Sequence, residues 1–161
     1  FQQSKQAMQV GTAHSDPNPN HIYFNSRGIW MTYIIFILIA HFIILSIPFI
    51  SVGLAWTLTC QVHNFITYLW LHWEKGAPFE PLDQGESRTL THWEQLDDGV
   101  QFTANKKFLL VVPTVVFLLA TFYSRYDQIH FIANALSLVV LSIAPKLPMF
   151  YRVRLFGINK W

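Results

Sequence analysis

The sequence predicts an all-α membrane protein: four transmembrane helices in two hairpins, with cytosolic termini and a cytosolic central loop. Three observations predict it. Only 12% of the 161 residues are charged and 52% are hydrophobic, about half the charged fraction of an ordinary soluble domain. Two long stretches, Gly28 to Trp73 and Phe108 to Pro145, are almost free of charge, and a bilayer core takes about 20 helical residues per crossing. Ten of the eleven basic residues fall on one side of the arrangement these stretches imply, as expected of a cytosolic face.

The elements follow in order. Residues 1–27 form a cytosolic N-terminal segment, in which the seven residues before Met8 are read as an expression remnant or a truncated leader. Residues 28–74 make the first transmembrane hairpin. That stretch is too long for one crossing, and its turn chemistry is confined to Ser46-Ile47-Pro48-Phe49-Ile50-Ser51-Val52-Gly53, where proline restricts its neighbour and glycine permits a reversal. The first helix follows Arg27 and Gly28, so it is not a cleaved signal peptide. Residues 75–107 form the cytosolic loop. Residues 108–145 make the second hairpin, broken at Ser124-Arg125-Tyr126-Asp127-Gln128. Residues 146–161 are a cytosolic tail. Trp30, Trp56, Trp70, Trp73, Tyr123 and Tyr126 lie near the ends of the segments, where amphipathic rings sit at headgroup level. Arg125 is the one basic residue on the far side.

The chemistry this chain is equipped for is narrow. A single cysteine, Cys60, forms neither an internal disulfide nor a paired-thiolate zinc site. Seven histidines invite a metal reading, yet no two are spaced three or four apart, the spacing that puts two ligands on one helix face. His41, His63 and His72 are expected to bond within the bundle or at an interface. A net charge of +2 is too small for nucleic-acid binding. The loop acids and His92 are not organised around a nucleophile or a metal. Asp97-Asp98 reads as a turn or helix cap, and His92-Trp93-Glu94 as a short amphipathic segment at the membrane surface. In the second helix Thr57, Cys60, Gln61, Asn64, Thr67 and Tyr68 recur every three or four residues. Amides are costly in hydrocarbon, so this stripe must face protein, either its own bundle or a partner's helix. With no Asp, Glu, Lys or Arg inside the segments, an ion or proton path is disfavoured.

Several strings resemble the ORM/ORMDL family of endoplasmic-reticulum proteins. They include Val10-Gly11-Thr12-Ala13-His14-Ser15, Asn18-Pro19-Asn20, Asn25-Ser26-Arg27-Gly28-Ile29-Trp30 and Leu45-Ser46-Ile47-Pro48-Phe49. Trp56-Thr57-Leu58-Thr59, Lys75-Gly76-Ala77-Pro78-Phe79-Glu80, Leu90-Thr91-His92-Trp93-Glu94-Gln95 and Gln101-Phe102-Thr103-Ala104 continue it. Pro145-Lys146-Leu147-Pro148 and Val153 to Lys160 complete a match from about Met8 onward. The resemblance implies a non-catalytic regulatory subunit in the endoplasmic reticulum membrane. Such a subunit binds serine palmitoyltransferase, with its catalytic subunits and small activating subunit, and inhibits it when ceramide accumulates. It implies no cofactor of the chain's own, pyridoxal phosphate being the partner enzyme's. It makes Asn20 the ceramide-binding residue, and Val10, Asn18, Trp70, His92 and Trp93 candidate residues of the partner interface. Besides the enzyme, the implied partners are ceramide and membrane lipids, not nucleic acid. The sequence departs from the family pattern at Cys60, where an asparagine is expected, and at Trp161, where a tyrosine is.

Overall fold

The computed structural model describes residues 23–77 and 85–159. Those residues are helical, with no strand among them and one isolated antiparallel bridge between Lys75 and Thr91. The helices are α1 (Ile29–Leu45), α2 (Val52–Tyr68), α3 (His92–Gln95), α4 (Ala104–Tyr123) and α5 (Gln128–Ser137). A π-helical turn, Leu69–Trp73, prolongs α2, and another, Leu138–Ile143, prolongs α5 into a 3₁₀ turn at Ala144–Lys146. Two stretches are long and apolar enough to cross a membrane, Ala104–Tyr123 with 20 residues and Gln128–Lys146 with 19, and α1 is a shorter apolar helix of 17.

Helices α2, α4 and α5 start where the sequence supplies a side-chain acceptor for their orphan amides, whereas α1 opens on Gly28 with no side-chain cap. Ser51 accepts the Leu54 N–H at 3.3 Å to open α2, and Thr103 does the same for Lys106 at the head of α4, also at 3.3 Å. Asp127 accepts from Ile129 and His130 at 3.0 and 3.2 Å to open α5. These are the side chains whose oxygens best satisfy a helix N-terminus. The reversals lie where turn residues were found, at 46–51 and 124–127. The two turns are neighbours in space. A Cβ on Gly53 would stand 3.1 Å from the Ser124 Cα, so the bare glycine lets the head of α2 touch the second turn.

Helix α2 occupies the middle of the bundle and packs against α1, α4 and α5. Cys60, Val116 and Ala120 form one buried cluster with Trp56 and Phe117 packed on it, and Trp56 stacks on Tyr123 with ring centroids 5.0 Å apart. Helix α1 is apolar all round and buries only His41. A helix with that pattern belongs in lipid or against another protein.

The interior of α4 contains Pro113. Proline has no N–H, so the carbonyl four residues earlier, that of Leu109, loses its helical partner. The Lys146 ammonium donates to it at 2.8 Å from the end of the other helix in the hairpin.

The loop between the hairpins packs inward. His92-Trp93-Glu94, expected at the membrane surface, is buried, at 3, 3 and 4% exposure. Thr91 and Glu94 close a reciprocal capping box on α3, while Trp93 joins Phe24, Leu71, Leu96 and Leu109 in a second core cluster. With its carboxylate paired inside the chain, the segment has no polar face left to turn outward. Asp97 and Asp98 form a turn with φ of 53° and 54°, as the sequence suggested. Asp97 accepts from the Thr103 hydroxyl and from Asn105, so it tethers the turn to the head of α4.

Candidate functional site

The polar stripe of α2 is spent inside the bundle. Thr57, Cys60, Asn64 and Thr67 are buried, and Gln61 and Tyr68 half-buried. Thr57, Gln61 and Asn64 each find a partner on α5 at a constant offset. Thr57 pairs with His130 at 3.0 Å, Gln61 donates to Asn134 at 3.1 Å, and Asn64 donates to Ser137 at 2.9 Å, each 73 residues apart. Asn134 donates back to Thr57 at 3.1 Å, and Ser142 donates to the Asn64 carbonyl oxygen at 2.9 Å. Asn64, fully buried, also donates to the Cys60 Sγ at 3.6 Å and contacts His63 at 3.2 Å. A constant offset means that α2 and α5 run parallel and in register. The sequence reading found the α2 half and missed His130, Asn134 and Ser137. Their spacing of four and three repeats that of Thr57, Gln61 and Asn64 and was the signal available.

Two of the expected histidine bonds join α1 to α2. His41 bonds Thr59 at 2.9 Å and His63 bonds the Tyr33 hydroxyl at 2.6 Å. His72 stands apart, its Nε2 buried without a hydrogen-bond partner among the described residues.

Between α1, α2 and the head of α4 lies a largely apolar cleft of about 440 Å³. Ile37, Ala40, Val62 and Ile66 line its length, and Tyr23, Trp30 and Trp70 stand at one end. There the polar groups collect. Trp30 Nε1 donates to Asn105 at 3.0 Å, and Asn105 donates to Asn25 at 3.2 Å and to Asp97 at 3.0 Å. Apolar walls ending in hydrogen-bonding groups suit an amphiphile with a long chain and a small polar head.

Of the residues singled out in the sequence, Asn20, Val10 and Asn18 lie outside the described residues. The other three come together. His92 Nδ1 pairs with the Trp70 carbonyl at 2.7 Å, and their rings lie 6.2 Å apart. Trp70 half-lines the cleft, while His92 and Trp93 are interior.

Beside them, Arg154 grips Glu94 through two hydrogen bonds of 2.6 and 2.8 Å, the bidentate geometry favoured by guanidinium and carboxylate. Burial pushes the Glu94 carboxyl up, but the bonds from Arg154 and the Thr91 amide outweigh it and hold the group below its ordinary value. Arg154 is raised, chiefly by the same bonds. Tyr151 completes the attachment by donating to the Glu94 backbone carbonyl at 3.0 Å. Its hydroxyl fills the space over Gly99 (φ +78°) that a Cβ would occupy.

The model of the ORMDL family matches residues 18–154. ORM1-like protein 3 of Mus musculus is 56% identical over 154 residues, covering 96% of this chain and all of its own length. ORM1-like protein 2 of Homo sapiens is 54% identical and ORM1-like protein 1 of Danio rerio 53% identical, each over the same shares of both chains.

Proposed function

Because this chain belongs to the ORMDL family, we propose that it is a non-catalytic regulatory subunit of serine palmitoyltransferase in the endoplasmic reticulum membrane. In this reading it binds the catalytic and small activating subunits and inhibits them as ceramide accumulates, so that the pathway's product restrains its first step. Pyridoxal phosphate chemistry stays with the partner. The observation that carries the proposal is the likeness to ORM1-like proteins over their whole length. The topology proposed with it is four spans, with both termini and the central loop in the cytosol. The parallel register of α2 and α5 supports it, because two helices running the same way start from turns at one end and finish together at the other. The ten basic residues that the sequence carries in the termini and the central loop point that other end toward the cytosol.

Ceramide recognition is assigned to Asn20, a carboxamide able to donate to a lipid hydroxyl while accepting from its amide N–H. The apolar cleft supports this, because Tyr23 at its end lies only three residues further along the chain. The test is reconstitution of the purified enzyme with this subunit and titration of ceramide. The wild-type complex should shut down, and a complex carrying Asn20→Ala should assemble yet keep making long-chain base. Equal inhibition of the two removes Asn20 from the mechanism; failure of the subunit to co-purify with the enzyme removes the regulatory reading itself.

A further inference from the structure

Beyond Lys146, where the second membrane-length stretch ends, the chain is tied back to the bundle at several points. The Tyr151 hydroxyl and the Arg154 guanidinium bind Glu94. Asn159 Nδ2 donates to the Trp73 carbonyl at 2.9 Å, at the end of the π turn that prolongs α2. Between Arg154 and Asn159 the backbone makes a 3₁₀ turn, Leu155–Gly157. It is closed by the Gly157 N–H on the Arg154 carbonyl at 3.2 Å and the Ile158 N–H on the Leu155 carbonyl at 3.0 Å. A loop fixed at both ends points its tip in a definite direction.

That tip is apolar and uncovered. Phe156 is 98% exposed, and Leu155 and Ile158 are 56% exposed each. Phe156 sits at φ +55°, a left-handed conformation that a bulky residue rarely adopts, and its ring packs on nothing in this chain. Clustered apolar side chains left in the open mark a surface that meets something else. No Asp or Glu occurs in the sequence after Asp127, so no acidic side chain of the tail opposes burial in lipid.

What the tip faces follows from its neighbours. Leu155, Phe156 and Ile158 line a cleft of about 570 Å³ whose other wall includes Val139 and Val140. Those valines are more than half exposed on the membrane-length stretch Gln128–Lys146. Val140 lies six residues before Lys146, roughly 9 Å along a helix that rises about 1.5 Å per residue. The tail therefore doubles back beside this helix, and its tip shares an open cleft with side chains that the crossing sets at the edge of the hydrocarbon. Interfacial segments bury their apolar face about 5–10 Å into the boundary between headgroups and acyl chains, a depth this loop reaches. Trp73, half-exposed at the Asn159 anchor, is the ring type that prefers the same level.

We propose that the loop at 155–158 is a membrane finger, inserted into the leaflet at its own end of the bundle with Phe156 among the upper acyl chains. The proposal rests on the crossing by Gln128–Lys146 and not on the regulatory reading.

The experiment uses the full-length chain in nanodiscs of palmitoyl-oleoyl phosphatidylcholine. Nitroxide labels are placed on Phe156→Cys, Val139→Cys and Arg88→Cys, and their collisions with oxygen and with nickel-EDDA are read by power saturation. Cys60, the single native cysteine, is fully buried, and the unsubstituted chain sets the background. Oxygen concentrates in hydrocarbon and the nickel chelate in water. The label at 139 should favour oxygen, the one at the exposed Arg88 should favour nickel, and the oxygen-to-nickel ratio at 156 should stand several-fold above that at 88. Phe156→Trp gives a second reading without a label: lipids brominated on their upper acyl carbons should quench its emission beyond the loss seen in the unsubstituted chain. Nickel access at 156 equal to that at 88, or no added quenching in Phe156→Trp, would put the loop in water and overturn the proposal. Shielding of the 156 label from both reagents would overturn it too, as the mark of a protein surface such as a second copy. A label at 139 open to nickel would remove the crossing, and the proposal with it.

Discussion

Single side chains hold the loop and tail to the helices, and two of them make quantitative predictions. Protonating Glu94 weakens its bonds from Arg154. Its carboxyl sits below the ordinary glutamate value in the folded chain, so the unfolded chain binds the proton first as pH falls. The pair's contribution is therefore complete above the ordinary glutamate range and is lost as pH drops through the lower folded value. Thermal unfolding in detergent across that range should show the decline, and Glu94→Gln should flatten it. Lys146 gives the second. Lys146→Met removes the donor to the Leu109 carbonyl and leaves a buried acceptor bare, at about 1–3 kcal/mol. Adding Pro113→Ala restores a helical N–H at that position, so the double variant should recover part of the loss in a denaturant titration. Neither arrangement was legible in the sequence. Glu94 and Arg154 are 60 residues apart, and nothing in a string of apolar residues shows which carbonyl a lysine will reach.

At the scale of elements, α2 and α5 are joined by amides and hydroxyls rather than by shape alone. Asn64 is the junction, fully buried and bonded to Ser137 and Ser142. Asn64→Leu, which keeps the branched shape without the amide, leaves both hydroxyls short of a partner. It should destabilise the bundle by about 1–3 kcal/mol, given membrane hydrogen bonds of about 0.6–2 kcal/mol each; the unfolding midpoint in mixed micelles measures it. Gly53→Leu should separate the head of α2 from the second turn, because even its Cβ meets Ser124 at 3.1 Å; a cysteine pair across that contact should then cross-link less readily. The stripe on α2 could be read in advance because its period alone demanded a polar neighbour. Which helix supplied that neighbour could not, since a period names a face and not a partner. The inward packing of His92 to Glu94 was misread for a related reason. The local pattern resembles an interfacial helix, and the cation that neutralises its carboxylate comes from the tail.

For the whole molecule, both reversals and the starts of α1, α2 and α5 fall close to where charge, proline and glycine put them, whereas α4 begins ahead of the expected Phe108 and the α-helical parts of α2 and α5 stop at Tyr68 and Ser137, short of the expected Trp73 and Ala144. The π and 3₁₀ turns that finish the hairpins were not foreseen, because their residues are as apolar as those of the helices they prolong. The expected orientation makes a direct prediction. Glycosylation acceptors introduced at 124–128 should be modified by the lumenal enzyme, while acceptors at either terminus or in the loop at 87–98 should stay bare. A glycosylated terminus in a microsomal translation assay would reverse the assignment. The ceramide residue stays an inference from kinship, because Asn20 lies outside the described residues.

The parallel α2–α5 ladder also governs when the protein can be finished. Each of its rungs joins residues 73 apart, and at ordinary translation rates of about 5–20 residues per second the second half of a rung arrives about 4–15 seconds after the first. In the proposed four-span topology, Gln61 and Asn64 stand in the bilayer during that interval with no α5 to receive them. A newborn chain is then most visible to whatever surveys membranes for bare amides, and a ribosome that stops before Gln128 leaves a product that cannot hide them. Truncated products should accordingly be cleared faster than full-length chains in a pulse-chase experiment, and Gln61→Leu with Asn64→Leu should lengthen the fragment's lifetime even as it weakens the finished protein.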